Sequence, residues 1–178
     1  PQLNKLTVCG LGLLYDVKTG YPLLFSEMTL LTAFRTAATA ALAAGYLARK
    51  DASSLGIIGC GAQSEFQILA HHAVLGIDTV YYFDLDAAAM QKFKNNLDAY
   101  NLKLIAAESV QDVINKADVV ITATAAAKAQ MLFKWQDCKP GLHISAIGGD
   151  GPCKTELDPE ILQHAQVVVE YFPQTKVE

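Results

Sequence analysis

Two glycines, Gly59 and Gly61, form the most informative chemical pattern in the sequence. They lie between a short apolar run and a helical pattern in the segment LGIIGCGAQSEFQ, residues Leu55–Gln67. This order is typical of a turn that binds the phosphates of a dinucleotide, because the free N–H groups of the first helical turn can hydrogen-bond phosphate oxygens. Gly59 permits a tight turn, and Gly61 lets the backbone approach a pyrophosphate. Ser64 replaces the third glycine of the usual fingerprint but is small enough for close helix–strand packing.

Asp84 stands at the end of the next apolar run, VYYFD, where dinucleotide-binding domains place an acidic residue. A carboxylate there can accept hydrogen bonds from both ribose hydroxyls of NAD. The extra 2′-phosphate of NADP, about 4 Å away, would cost about 4 kcal/mol at an effective dielectric constant near 20. No arginine follows Asp84 to offset that repulsion, so the sequence predicts NAD. The alternative role of Asp84 is to cap the helix that begins near Ala87, for which Asp86 competes.

Two threonines, Thr122 and Thr124, end a later apolar run, VVITAT. Ligands of open α/β sheets bind at the carboxyl ends of the strands, so these hydroxyls could contact the ribose or the nicotinamide amide. The alternative is ordinary packing of β-branched side chains within a strand.

Arg35 is the one basic residue in the small and apolar stretch TAFRTAATAALAA. A planar guanidinium can bind a carboxylate through two parallel hydrogen bonds, each worth about 1.5–3 kcal/mol. Arg35 is therefore a candidate for binding an acidic substrate group. The alternative is a structural ion pair with Asp16 or Glu27.

Asp150 lies in the loop sequence AIGGDGPCKTEL, with glycines on both sides. A carboxylate held in such a loop, at the carboxyl edge of a sheet, is placed as a general base should be. The alternative is an Asx-turn, which explains many aspartates in loops rich in glycine and proline. Lys154, in the same loop, could neutralise a phosphate or be solvated.

The histidines and cysteines give no support for a metal centre, a disulfide framework or a Ser-His-Asp site. The cysteines are far apart and form no C-x-x-C pair, which is typical of reduced thiols, and no histidine has a suitable partner in the sequence. These residues are His71, His72, His143 and His164, and Cys9, Cys60, Cys138 and Cys153.

The composition narrows the class of protein further. Hydrophobic residues make up 52% of the 178 residues, which excludes disorder over most of the chain. The net charge of −4 and the scattered Lys and Arg residues argue against a nucleic-acid partner. The stretch Thr36–Ala48 is apolar but short and interrupted, so we expect no membrane partner. The widely separated cysteines, typical of reduced thiols, predict a cytoplasmic location. Because the chain starts at Pro1 and ends in QTKVE, we expect a fragment of a longer protein.

The elements that must position these residues alternate between strand and helix after residue 50. Strands are predicted at Leu6–Asp16, Tyr21–Ser26, Leu55–Ile58, Thr79–Phe83, Lys103–Ala106, Val119–Thr124, His143–Ile147 and Val167–Tyr171. Helices are predicted from Thr29 or Thr32 to about Arg49, at Ala62–Leu75, at Ala87–Tyr100, after a cap at Ser109, and after a cap at Asp158 with Pro159 as first residue.

This pattern predicts an α/β fold, namely a Rossmann-like, doubly wound and mostly parallel sheet with helices on both faces. A β-hairpin and a long Ala-rich helix precede it and belong partly to a second domain. We therefore divide the chain into residues 1–50, at the edge of a substrate or dimerisation domain, and residues 51–178, a dinucleotide-binding domain.

In the segments that carry the candidate residues, the chain resembles the ornithine cyclodeaminase/mu-crystallin family. The resemblance rests on LYDVKTGYPLLFSEMTLLTAFRTAATA, IIGCGAQSEFQ, YYFDLD, GLHISAIGGDGPCKTEL and VEYFPQT, which together span nearly the whole chain. One departure is that the usual GGDCPGKTEL has its Cys and Gly exchanged, which gives Gly151 and Cys153.

The resemblance also implies roles for individual residues. Ala62 and Gln63 would contact the pyrophosphate, and Asp84 would hold the adenosine ribose. Arg35 would bind the amino-acid carboxylate beside the nicotinamide, and Asp150 would be the catalytic acid/base. The cofactor contacts implied in this way come from Thr7, Arg35, Gly59, Gly61, Ala62, Gln63, Asp84, Thr124, Ile147, Gly148, Gly149 and Lys154.

The activity implied by the resemblance is NAD-dependent conversion of L-ornithine to L-proline and ammonia, in a protein that forms a homodimer. Hydride would pass from ornithine to bound NAD and return to the product ring. Two alternatives stay open, namely an NAD(P)-dependent imine reductase or amino-acid dehydrogenase of the same family, and a non-catalytic, crystallin-like protein that binds a nucleotide or another ligand. The isolated fragment is expected to be inactive.

Overall fold

The computed structural model describes residues 9–125, 130–149, 151 and 154–176. Within them lie a two-stranded antiparallel hairpin and a five-stranded parallel sheet of order β5-β4-β3-β6-β7. The elements in chain order are β1 (Leu11–Tyr15), β2 (Pro22–Glu27), α1 (Thr29–Leu47), β3 (Ser54–Ile58), α2 (Ser64–Leu75), β4 (Thr79–Phe83), α3 (Ala87–Leu97), β5 (Lys103–Ala106), α4 (Val110–Lys116), β6 (Val119–Thr122), the 3-10 helix Trp135–Asp137, β7 (His143–Ala146), α5 (Pro159–His164) and α6 (Phe172–Thr175).

The direction of winding reverses at β3, which pairs with β4 on one side and β6 on the other. Ile58, the last residue of β3, is in register with Phe83 of β4 and Thr122 of β6, so three strands end level with one another. In open α/β sheets the crevice at such a reversal is the usual ligand site. The predicted α/β fold with a parallel sheet is confirmed.

Both faces of the sheet are covered, which explains why its central strands read as unbroken apolar runs. Every residue of β3 and β6 is buried. On one face Ile68 of α2 and Phe93 of α3 pack in the core with Leu55 and Ile57. On the other face Val113 and Ile114 of α4 and Ile161 of α5 pack with Val120.

The hairpin and the long helix have the predicted character but different local details. Asp16 closes the hairpin turn by accepting hydrogen bonds from Lys18 N and Thr19 N at 2.9 and 2.7 Å. The prediction that Thr29 or Thr32 caps α1 is wrong. The helix begins at Thr29, and the Glu27 carboxylate accepts from the backbone N–H groups of Thr29 and Leu30 instead.

The helix α1 packs against α2 through small residues. Its buried side chains are Ala33, Ala37, Ala41 and Ala44. Within the described part of the chain, α1 is the helix long and apolar enough to cross a membrane by length and composition, and it is longer than the apolar stretch identified in the sequence. A signal sequence and the core helix of a soluble protein both meet the same criteria. The expectation of no membrane partner stays a prediction.

One predicted strand does not form. Val167–Tyr171 is irregular and exposed, and the short helix α6 follows it. The run is β-branched and apolar, but a strand needs a neighbour for its ladder, and among the described residues the sheet ends at β7. Smaller differences are that α3 ends at Leu97 rather than Tyr100, and that β6 ends at Thr122 rather than Thr124. The division into two domains stays a prediction.

Candidate functional site

The glycine turn joins the ends of three strands. The Gly59 N–H donates to the carbonyl of Phe83 at 2.9 Å, and the Ala123 N–H donates to the carbonyl of Ile58 at 2.9 Å. Gly59 has φ +100°, and a Cβ atom on it would lie 2.6 Å from the carbonyl oxygen of Ala123. Glycine is therefore required at this position for both backbone conformation and space.

The first residues after Gly59 are arranged as in an anion site. A Cβ atom on Gly61 would meet nothing within 4 Å, so the backbone there faces open space. Ser64, fully buried, turns its hydroxyl inward and donates to the Gly61 carbonyl at 2.7 Å. The N–H groups of Ala62 and Gln63 have no acceptor among the described residues, and they precede a helix of 12 residues. Free N–H groups at a helix N-terminus, together with its dipole, favour a bound phosphate.

Asp84 faces this turn and does not cap a helix. Its Oδ2 accepts from Cys60 N at 2.7 Å, and its Oδ1 accepts from Asp86 N at 2.9 Å. The cap of α3 is Asp86, which accepts from Ala88 N at 2.8 Å. An ionised carboxylate has about four acceptor positions, so Asp84 keeps capacity for ribose hydroxyls while it holds the glycine turn.

A cleft of about 340 Å³ lies against the glycine turn and the strand ends, within the range of small-molecule sites. It brings together Gly59, Gly61, Asp84 and Thr124, four of the predicted cofactor residues. Met131 and Leu132 give the cleft an apolar wall, which the sequence patterns do not predict. The residues that line the whole cleft are Ile58, Gly59, Gly61, Phe83, Asp84, Leu85, Val110, Ala123, Thr124, Ala125, Gln130, Met131 and Leu132.

Glu156 is a charged residue at this site that sequence reasoning missed. Its side chain is buried, with 5% of the residue exposed, behind the strand ends. Thr122 Oγ1 donates to its Oε2 at 2.6 Å, and Thr124 Oγ1 donates to its Oε1 at 2.5 Å. The fully buried Thr122 hydroxyl is thus committed inward, so the suggestion that it contacts a cofactor is wrong. The available signal was an acidic residue in a segment, KTEL, that otherwise reads as an ordinary loop.

Arg35 is exposed on α1 and has no acidic partner among the described residues. The two acids proposed for a structural ion pair are committed to backbone N–H groups of their own turns, so that alternative is wrong. The neighbouring Phe34 packs edge-to-face against Phe66 in the first turn of α2, with ring centroids 5.1 Å apart. Arg35 therefore belongs to the helix that packs beside the start of α2.

The remaining predicted residues either do not line the cleft or lie outside the described part of the chain. Within that part, Ala62 lines a second depression of about 390 Å³ between α2 and α3, away from the strand ends. Ile147, Gly148 and Gly149 follow β7, and Ile147 packs on the core. Lys154 N donates to the Gly151 carbonyl at 3.0 Å. Thr7 and Asp150 lie outside the described residues, so their roles stay predictions.

The thiol of Cys60, in the glycine turn, is not a reactive nucleophile. Cys60 is fully buried, and burial together with the nearby Asp84 charge raises the pKa of its thiol to about 12. A thiol is a poor nucleophile until it ionises. Cys60 therefore contributes packing and one backbone N–H to the site rather than reactivity.

Comparison with known proteins adds the family to this geometry. Residues 3–178 match the sequence profile of the ornithine cyclodeaminase/mu-crystallin family. The ornithine cyclodeaminase of Agrobacterium fabrum (strain C58) is 45% identical over 175 residues, which cover 98% of this chain and 49% of that protein. The alanine dehydrogenase of Archaeoglobus fulgidus is 38% identical over 176 residues, which cover 99% of this chain and 53% of that protein.

Solved structures agree on the fold. An archaeal alanine dehydrogenase dimer with bound NAD superposes with a TM-score of 0.91 at 36% identity, over 99% of this chain and 54% of that one. A lysine cyclodeaminase, studied for its recognition of L-lysine, L-ornithine and L-2,4-diaminobutyric acid, gives a TM-score of 0.85 at 34% identity, over 92% of this chain and 47% of that one. The chain spans about half the length of the curated relatives it matches. It belongs to the ornithine cyclodeaminase/mu-crystallin family.

Proposed function

We propose that this chain is the NAD-binding part of an ornithine cyclodeaminase that converts L-ornithine to L-proline and ammonia. The observation that carries the proposal is the 45% identity to an ornithine cyclodeaminase over 98% of the chain, in a family match that includes the Asp150 loop. The proposal extends to a homodimer, as in the structural relative with bound NAD, and to a cytoplasmic location.

The cleft fits NAD. The glycine turn and the free N–H groups at the start of α2 would hold the pyrophosphate, and Asp84 would accept hydrogen bonds from the ribose. Thr124 and the apolar wall at Met131 and Leu132 border the rest of the cleft. The carboxylate of Asp84 opposes a 2′-phosphate, which supports NAD over NADP. When bound, NAD supplies a ring that accepts a hydride reversibly.

Two side chains would act on the amino acid. The guanidinium of Arg35, which has no acidic partner in the part of the chain that the structure describes, would bind the substrate carboxylate and so orient the α-carbon. Asp150 would accept a proton from the α-amine and release it to solvent. It would then accept a second proton from the side-chain amine as that amine closes the ring, and donate this proton to the departing ammonia. Each positioned proton transfer of this kind contributes about 10²–10⁴-fold to the rate. Thr7 and Lys154 would lie against the cofactor.

A second candidate is an imine reductase or amino-acid dehydrogenase of the same family. The observation in its favour is the similarity to alanine dehydrogenases, both in sequence and in the superposition with the NAD-bound dimer. The two reactions differ in their use of the cofactor, since a cyclodeaminase returns the hydride that a dehydrogenase leaves on it. A steady-state assay can therefore separate them.

The test is to incubate the full-length protein with L-ornithine and NAD while following absorbance at the wavelength of the reduced cofactor. Proline and ammonia are measured in the same samples by chromatography and an enzymatic assay. We expect equal amounts of proline and ammonia without net cofactor reduction. Reduced cofactor that accumulates without proline would contradict the proposal and support the dehydrogenase. An Asp150→Asn variant should still bind NAD but lose ammonia release, and wild-type turnover in that variant would contradict the role of Asp150.

A further inference from the structure

The carboxylate of Glu156 accepts hydrogen bonds from four donors. Oε1 accepts from Thr124 N at 2.7 Å and from Thr124 Oγ1 at 2.5 Å. Oε2 accepts from Gly148 N at 2.9 Å and from Thr122 Oγ1 at 2.6 Å. Each oxygen is thus paired with one backbone N–H and one hydroxyl, so an ionised carboxylate, which only accepts, matches its surroundings completely.

Neither backbone N–H can be turned away, and this makes the site intolerant of a glutamine. In the substitution Glu156→Gln, the NH₂ group of the new amide would face the N–H of Thr124 or of Gly148, whichever way the amide is turned. The hydroxyls can rotate to accept, but the backbone donors cannot. Space is restricted as well, because a Cβ atom on Gly148 would overlap the Glu156 carboxylate.

The same residue joins three segments around the cleft. Its side chain binds Thr124, which follows β6 and lines the cleft, and Gly148, which follows β7. Its carbonyl accepts from the N–H of Leu132, in the apolar wall, at 2.9 Å.

We propose that Glu156 is a positioning residue that fixes the wall of the cofactor cleft. The expected effect on proline formation rests on the proposed function. The expected effect on NADH binding does not, because it follows from the contacts of Thr124, Leu132 and Gly148.

The experiment compares Glu156→Gln with Glu160→Gln in the full-length protein. Glu160 is exposed on α5, so the same substitution there is a matched control. Binding of NADH is measured by fluorescence titration, and the folded fraction by circular dichroism. Proline formation gives KM and, after normalisation to the folded fraction, kcat. For Glu156→Gln we expect NADH affinity to fall about fivefold or more, because the mismatched donor, at about 1–3 kcal/mol, displaces the cleft wall that it faces. We expect kcat to fall by a larger factor than KM changes. Glu160→Gln should stay within about twofold of wild type in NADH affinity and in kcat.

A second variant, Thr122→Val, keeps the volume of the buried side chain but removes the hydroxyl bound to Oε2. We expect Thr122→Val to fold and to lose NADH affinity and kcat to a smaller extent than Glu156→Gln. If Glu156→Gln does not fold, the Thr122→Val results decide whether Glu156 positions the cleft wall. If Thr122→Val, or a folded Glu156→Gln, only lowers the melting temperature while NADH affinity and kcat stay at control values, Glu156 is merely structural and the inference is overturned. A wild-type protein that makes no proline would instead refute the proposed function, while the NADH titrations would still test the cleft.

Discussion

The substitution Gly59→Ala tests the glycine turn most directly, because two separate costs meet at this residue. Its φ of +100° lies outside the range that alanine prefers, which costs about 1–2 kcal/mol. The new Cβ atom would lie 2.6 Å from the carbonyl oxygen of Ala123 and 2.8 Å from its carbonyl carbon. Both are backbone atoms, so the end of β6 must shift, and such overpacking costs about 1–3 kcal/mol. The total is about 2–5 kcal/mol of lost unfolding free energy.

That loss is smaller than the roughly 5–15 kcal/mol typical of whole domains, so we expect Gly59→Ala to fold but with a displaced turn. Two other glycines separate the two costs. Gly76 has φ +70° and open space around its Cβ position, so Gly76→Ala carries the backbone cost alone, at the far end of α2. Gly61 has open space and no such φ, so Gly61→Ala should change stability by no more than about 0.5 kcal/mol.

Urea unfolding and NADH titration of the full-length protein should then give three different outcomes. Gly59→Ala loses both stability and at least about tenfold in NADH affinity, because a displaced backbone withdraws the N–H groups that hold the phosphates. Gly76→Ala loses stability alone, and Gly61→Ala loses affinity alone. If Gly59→Ala is no less stable than Gly76→Ala, the close approach to Ala123 carries no cost and the reasoning is wrong. If it binds NADH like wild type, the turn does not hold the cofactor.

Three further predictions concern single side chains. Iodoacetamide at about pH 8 should label exposed Cys9 at least about 100-fold faster than buried Cys60, as measured by peptide mass mapping. The reason is that burial and the Asp84 charge raise the pKa of the Cys60 thiol to about 12. Similar labelling rates would contradict this. Burial alone would raise the pKa of Asp118, but hydrogen bonds from Ser53 N, Ser54 Oγ and Lys139 hold it well below 3.8. Because the folded pKa is depressed, this stabilisation is present at neutral pH and is lost as the pH falls below about 4. Asp118→Asn should therefore lower the free energy of unfolding in urea by about 1–3 kcal/mol at about pH 7 and by clearly less at about pH 3. An equal loss at both pH values would refute this assignment of the Asp118 hydrogen bonds. Arg35→Ala should leave urea stability within about 0.5 kcal/mol while raising KM for L-ornithine, and an unchanged KM would contradict the role of Arg35 in binding the substrate.

Most of the fold was predictable from the sequence, because its signals are local. The glycine turn, the acid that ends β4 and the caps at Ser109 and Asp158 each depend on a few neighbouring residues. The run Val167–Tyr171 shows where such signals fail, since composition predicts a strand but not whether another strand lies beside it.

The candidate site was predictable only in part, for a similar reason. Thr122 and Thr124 are alternate residues near the end of one run, and β6 is buried on both faces, so its hydropathy cannot tell which side chain reaches the cleft. The role of Glu156 depends on donors 32 and 34 residues away in the chain, after β6 and in its last residue. No spacing rule connects these positions, and only the assembled sheet brings them together.

The two carboxylates at this edge of the sheet show how acceptor capacity separates a ligand-binding group from a structural one. Glu156 is buried, and its four hydrogen bonds use about all the acceptor positions that a carboxylate has. Asp84 is only partly buried, lines the cleft and accepts two backbone hydrogen bonds, which leaves about two positions unused. Two is the number that a pair of ribose hydroxyls requires. The same count explains why Asp84 can hold the glycine turn and a nucleotide together, whereas Glu156 can act on a ligand only through the residues that it positions.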